Sequence, residues 1–373
     1  MKSTEARTVI TDQHMAMLSK LLFQGCADDF HIPATDAEAF KLELAYAASL
    51  TQPEWNAFVQ AANTHHVVVR GLQVLERVAF SHDEIVRDLC RSELEREQRR
   101  INLALDSLAP ICAGLEAGGC PVTVIKSLDH LPDLGSDLDL YTSADPDRVI
   151  HVMQHVFHAE LEDRSWGDRL ANKWNFKIPG LPELIEIHVR YLGQTGEHEE
   201  MARRVINRAV DRRVGRHVFS VPAPEERIII SSLQRMYRHF YFRLCDMADT
   251  AKLLKQESVD FHELRLAADT GGVWPGVATY LHLVAEYAKA FGLSVDLPDF
   301  VLEAVEDAST RVFLRSNFLR VPLWPSARLY GSQLLSAGAK RDYRAIRRLP
   351  LLPPLAVTAL IASRLTGTDK GIW

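Results

Sequence analysis

The 373-residue sequence predicts an α+β protein, with a small mixed β-sheet core over residues 120–221 and extensive helical segments before it (1–119) and after it (222–373). Three observations predict this. Apolar residues recur at helical spacing in HMAMLSKLLF, DAEAFKLELAYAASL and FVQAANTHHVVVRGLQVLERVAF. From Cys120 the pattern changes to short β-rich runs, PVTVIK, LDLYT, NKWNFKIP and ELIEIHV, each bounded by Pro, Gly or Asp. After Val221 the helical period returns.

Taken in order, the stretch from His82 to Leu115 is free of Gly and Pro as far as Pro110 and dense in Glu, Arg and Leu. It predicts one long helix that delivers the chain into the first strand, with Gly114, Gly118 and Gly119 ending it. A helix over Pro146 to Phe157 separates the second strand from the third. Beyond Val221, helices are expected at Ala223–Tyr237, His239–Lys255 and Phe261–Ala268 and onward to about Asn317, interrupted by the Val295–Pro298 loop. No repeat or low-complexity tract is visible.

Composition is that of a soluble globular chain, with 47% hydrophobic and 25% charged residues. A net charge of −6 provides no global field to recruit nucleic acid. Five scattered cysteines without CxxC spacing argue for reduced thiols and a cytoplasmic setting. The N-terminus lacks an apolar signal-peptide run. The apolar stretch Leu349 to Ala362 follows a basic run and is too short to span a bilayer, which needs about 20 residues. It is expected to be a buried C-terminal arm, with a membrane-surface anchor as the alternative.

The chemistry concentrates in Val122 to Thr142. Asp137 and Asp139 are one residue apart at the mouth of a strand, so both carboxylates face one side while Leu138 and Leu140 face the core. Two adjacent anions invite a hard divalent cation, Mg²⁺ first, with Mn²⁺ as a substitute. The bland alternative is a solvated strand end. In LIEIHV the same alternation puts Glu186 and His188 on one face, making Glu186 a candidate third metal ligand or base, against an ordinary edge-strand charge. His188 could orient an acceptor or be structural. Lys126, Ser127 and Ser136 flank the loop between the first two strands, where ammonium, hydroxyl and backbone N–H groups could hold phosphates. Lys173 and Lys177 share a strand face that could meet a triphosphate or be merely exposed. Phosphate-loop, dinucleotide, HExxH and GxSxG motifs are all missing.

Two basic features follow. Residues 203–216 hold six arginines against one aspartate. On a helix Arg204, Arg208 and Arg212 would form one stripe for an anionic acceptor, or a solvated face paired with Glu197, Glu199 and Glu200. Arg235, Arg238, His239, Arg243, Asp246 and Asp249 mix signs at helical spacing, which predicts interhelix salt bridges with Arg238 or Arg243 as nucleotide contacts.

The stretch Cys120 to Leu254 resembles the DNA polymerase β-type nucleotidyltransferases, and within them uncharacterised bacterial nucleotidyltransferases. Lys126, Ser136, Asp137, Asp139 and Leu140 match the "Lys-Gly … Ser-Asp-hydrophobic-Asp-Leu" core, and Glu186-Ile187-His188 the later acidic strand. Two positions depart from that pattern: Ser127 stands where glycine is usual and Glu186 where aspartate is usual. The resemblance implies metal-dependent transfer of a nucleoside monophosphate from an NTP, such as ATP, to an acceptor, with release of pyrophosphate. The implied acceptor is a small molecule, as in natural-product pathways, or a tRNA or protein, as in toxin-type relatives. The rival expectation is a helical scaffold with a degenerate transferase core.

Overall fold

The computed structural model describes residues 11–25, 39–79, 82–192, 199–305, 307–315, 317–354 and 357–358. Four helices open the chain: α1 (Asp12–Gly25), α2 (Lys41–Ser49), α3 (Gln52–Thr64) and α4 (Val68–Ala79). The Asp83 side chain then caps α5 (Glu84–Ala117) by accepting from the Val86 N–H at 2.9 Å. Over its 34 residues α5 buries Ile101, Ala104, Leu108, Ile111 and Leu115, a stripe at three- and four-residue intervals that keeps one face on the core. Gly119, at φ +74°, takes the left-handed conformation that turns the chain out of the helix.

The central sheet is built from β1 (Val122–Val124), β2 (Asp137–Thr142), β3 (Glu160–Leu161), β4 (Lys173–Lys177) and β5 (Leu184–Val189), in the order β1-β2-β5-β4-β3. Only β2 and β5 run parallel. The helices α6 (Pro146–Val156) and α7 (Trp166–Ala171) lie between its strands in sequence. The α+β class with helical segments on both sides is therefore the observed one. One face of the sheet, with Leu138, Leu140, Phe176, Ile185 and Ile187, packs on α5 and α6 as an apolar core. A larger core joins helices from both ends of the chain, including Phe58, Leu72 and Leu75 with Met236, Tyr280 and Leu281.

After the sheet come α8 (Glu199–Asn207), a hairpin of β6 (Val210–Val214) and β7 (His217–Val221), and α9 (Pro224–Ser232). A π-helix over Leu233–His239 leads to β8 (Tyr241–Phe242), followed by α10 (Leu244–Gln256), α11 (Phe261–Gly271), α12 (Trp274–Ala290) and α13 (Asp299–Leu302). Then β10 (Phe318–Arg320) pairs with β8 on one side and with β9 (Phe313–Arg315) on the other, before α14 (Leu323–Ala339), α15 (Tyr343–Arg348) and a 3-10 turn at Leu349–Leu351.

Three expectations fail here. The helix expected from His239 to Lys255 is interrupted, because β8 pairs with β10 through Phe242 and Leu319. For the same reason the helices stop before Asn317. The arginine-rich stretch is not one helix either, since α8 ends at Asn207 and Arg212 belongs to β6. The expected C-terminal arm is buried at Leu349 and Leu352 but exposed at Leu351 and Val357, and residues 359–362 lie outside the described ones. Among the described residues, no helix is long and apolar enough to cross a membrane.

Candidate active site

The register of the sheet assembles the acids. Asp139 pairs with Glu186 across the parallel β2–β5 ladder, and Asn175 of β4 pairs with Glu186 from the other side. Paired residues point to the same face, so Asp137, Asp139, Glu186, His188 and Lys173 share the face opposite the Leu138–Ile185–Ile187 core. Single ligand atoms of Asp139, Glu186 and His188 all lie within 4.8 Å of one another. Lys126 Nζ stands 2.5 Å from Asp139 Oδ1 and 3.9 Å from Glu186 Oε1. An ammonium between two carboxylates marks a place where the fold stabilises positive charge.

Glu186 is tied on both oxygens. Lys173, itself buried, donates to Oε2 at 2.8 Å and also meets Asp168 Oδ1 at 2.9 Å. His188 Nε2 lies 2.9 Å from Oε1, with Nδ1 buried and without a hydrogen-bond partner among the described residues. Burial opposes ionisation of Glu186, but Lys173, His188 and Lys126 outweigh it and hold the carboxyl well below its usual range. Such a group takes cations and is a poor proton acceptor. Asp137 goes the other way: burial, then Glu186 and Asp139, push it up to about 6. Asp137 is thus protonated more readily in the folded chain than in the unfolded one. Stability that it contributes at low pH is lost as pH rises from its ordinary value of 3.8 through about 6. Between pH 4 and 7 the metal-free protein should therefore lose melting temperature relative to Asp137→Asn, and parallel curves for the two would contradict this.

The loop before β2 is fastened from three directions. Ser127 N–H donates to Ile125 O at 2.6 Å, closing a γ-turn with Lys126 at φ +59° and ψ −58°. Such a turn is rare and strained for a non-glycine residue. The Ser127 hydroxyl accepts from Asp139 N–H at 2.8 Å and donates to Asp137 O at 3.2 Å. Buried and occupied in this way at the lining of the cleft, it clamps the acid strand. Helices α4 and α5 supply the rest. Arg100 donates to the carbonyls of Leu134 at 2.9 Å and Gly135 at 3.1 Å. Asp133 accepts from Val69 N–H at 2.6 Å and from Arg70 Nε at 2.7 Å. Arg70 continues to Asp249 Oδ1 at 2.5 Å, whose other oxygen meets His130 Nδ1 at 2.5 Å.

The facing wall is basic. A cleft of about 200 Å³ is bounded on one side by Ser136, Asp137, Asp139 and Glu186, and on the other by Gln234, Arg235, Arg238, His239, Tyr241 and Arg243. With its wider turn, the π-helix brings positions 234, 235, 238 and 239 to the cleft together, as such segments often do at functional sites. Arg235 is 2% exposed and braced by Asp246 at 2.8 Å, yet its Nη1 has no hydrogen-bond partner among the described residues. Burial, then Arg238, Arg235 and Arg243, hold His239 well below its ordinary range, so it is neutral there.

Several sequence-derived candidates lie elsewhere. Lys177 is exposed at the far end of β4, opposite Glu160, and Lys173 is the lysine of the cleft. His188 is 1% exposed, beneath Glu186, and is placed to orient that carboxylate and not an acceptor. Arg204 and Arg208 meet Glu226 (2.8 and 3.2 Å) and Glu263 (2.5 and 3.5 Å), and Arg208 also meets Glu225 at 2.9 Å. Arg212 lies 3.6 Å from Asp129. Arg204 and Arg208 thus share a face that Arg212, in β6, does not join, and Glu197 is outside the described residues. Because Glu226 is 2% exposed, replacing both Arg204 and Arg208 with Gln should cost about 3–5 kcal/mol of stability, read by denaturant titration. An unchanged midpoint would restore a solvent-facing role. Asp168, His66, His130, Gln234 and Tyr241 escaped the sequence analysis. Only Asp168 had a signal, the Ser165-x-x-Asp168 capping box that starts α7.

A mixed sheet that carries three acids on one face, opposite a basic wall, defines a phosphate-handling α+β protein. The chain belongs to the family described as "Uncharacterised nucleotidyltransferase", whose model matches residues 51–289, and nucleotidyl transfer is its general activity class. No curated protein and no solved structure matches it.

Proposed function

We propose that the chain is a Mg²⁺-dependent nucleotidyltransferase that moves an NMP from an NTP to a small-molecule acceptor and releases pyrophosphate. The observation that carries this is the convergence of Asp137, Asp139 and Glu186 on one sheet face across from Arg235, Arg238 and Arg243. The donor set is all oxygen, as hard divalent cations prefer, so Mg²⁺ or Mn²⁺ fits it. Asp137, Asp139 and Glu186 would hold the cation, which when bound neutralises charge on the reacting phosphate. Lys126, now 2.5 Å from Asp139, would be free to meet the triphosphate if a cation took its place beside that carboxylate. Arg238, Arg243 and the unpartnered Nη1 of Arg235 offer donors for the phosphate oxygens, and Ser136 adds a hydroxyl at the mouth. Net acidity of the chain favours a small acceptor over RNA.

Thermal unfolding tests nucleotide binding. At a hundredfold excess of NTP over its Kd, with Mg²⁺, stability should rise by about 2.7 kcal/mol. Chelation should remove most of that gain. A melting temperature indifferent to both NTP and Mg²⁺ would count against the reading.

A further inference from the structure

We propose that the outer side of α14, with α15 and the turn after it, is a docking surface for an anionic membrane interface. Residues 323–348 carry six Lys or Arg against one Asp, in a chain whose net charge is −6. Neither α14 nor α15 contains an acidic residue. On α14, positions 324, 328, 331, 335 and 338 recur at helical spacing along one side. Trp324 is 73% and Leu335 77% exposed on that side, and nothing lies within 4 Å of where a side chain would start at Gly331 or Gly338. Tyr343 and Leu351 are also exposed, while the inner side buries Leu329 against the large core and Ala337, Ala345, Leu349 and Leu352 in a small core of their own.

The chemistry of this surface selects its occupant. Exposed Trp, Tyr and Leu, with Arg341 and Arg347 exposed just beyond α14, suit the boundary between headgroups and acyl chains, where apolar side chains sink and cations meet anionic lipid. A nucleic acid would use the arginines and the aromatic rings, but leaves Leu335 and Leu351 without a role. A second copy of the same surface would bring like charges together. At 17 and 6 residues the helices can lie on a bilayer and cannot cross it. The surface is anchored to the catalytic sheet: Arg348 donates to Leu170 O in α7 and lies 4.9 Å over the Tyr191 ring just after β5.

Flotation of the full chain with vesicles tests this, using phosphatidylcholine alone and phosphatidylcholine mixed with phosphatidylglycerol. The chain should float with the mixed vesicles, should not with the neutral ones, and should be released by high salt. The variants Trp324→Ser/Leu335→Ser and Arg341→Glu/Arg347→Glu should each bind the mixed vesicles about tenfold more weakly. Both lie away from the cleft, so their melting shift with NTP and Mg²⁺ should match wild type and report an intact fold. No flotation with the mixed vesicles, or equal flotation of the apolar variant, overturns the proposal. So does capture by RNA that the Trp324→Ser/Leu335→Ser change leaves intact, or a dimer that the same change converts to monomer.

Discussion

Asp139→Asn should reduce nucleotidyl transfer by on the order of 10³-fold. Asp139 faces the cleft level with Glu186, and its charge is the nearest partner of Lys126 at 2.5 Å. Asparagine keeps the shape and loses the charge, so the cation proposed to lie between the two strands would lose one of its anionic ligands. Asp139 is not the solvated surface acid that its place at a strand mouth suggests, since its side chain is only 14% exposed. A loss of a few degrees in melting temperature should accompany the substitution, because Lys126 is left without its closest counter-charge inside a half-buried pair. Circular dichroism should still show the native helices and sheet. A variant that folds and turns over like wild type would remove Asp139 from the machinery.

Glu186→Gln should separate chemistry from nucleotide capture. The substitution keeps an acceptor oxygen but removes the charge that Lys173, His188 and Lys126 share. Asp137, Asp139 and the basic wall remain, so the apparent Kd for NTP should stay within about threefold while kcat falls about a hundredfold. Lys173 retains Asp168 at 2.9 Å, which limits the cost of burying its ammonium. Titration calorimetry beside a turnover assay distinguishes the two effects. Equal losses of binding and turnover would make Glu186 part of the nucleotide site and not of the reacting centre.

The acids were legible in the sequence because strand alternation has a period of two. Once Leu138, Leu140, Ile185 and Ile187 are read as core, the faces of Asp137, Asp139 and Glu186 follow. The long helix α5 was legible for a similar reason, a 34-residue run with one apolar stripe. The basic wall was legible in part. Arg235, Arg238 and His239 stand at helical spacing, but nothing in LQRMYRH marks the π-turn or the cleft that they share with Gln234 and Tyr241. Small strands such as Tyr241–Phe242 are set by their pairing with distant Leu319 and Arg320, so local pattern reads through them as helix. The role of Ser127 was hidden for a further reason. Its hydroxyl matches a phosphate contact in sequence, and only the fold shows both of its bonds directed to the backbone of β2.

Nucleotidyl transfer in this cleft would break the bond between the α- and β-phosphates of an NTP. Parallel incubations with NTP labelled at the α- or the γ-phosphate, with Mg²⁺ and a cell extract as the source of acceptor, test it most directly. The α-label should appear on an acceptor product, the γ-label should leave as pyrophosphate, and both should be lost in Asp139→Asn. Transfer of the γ-label to the acceptor, with the α-label left on nucleoside diphosphate, would contradict it.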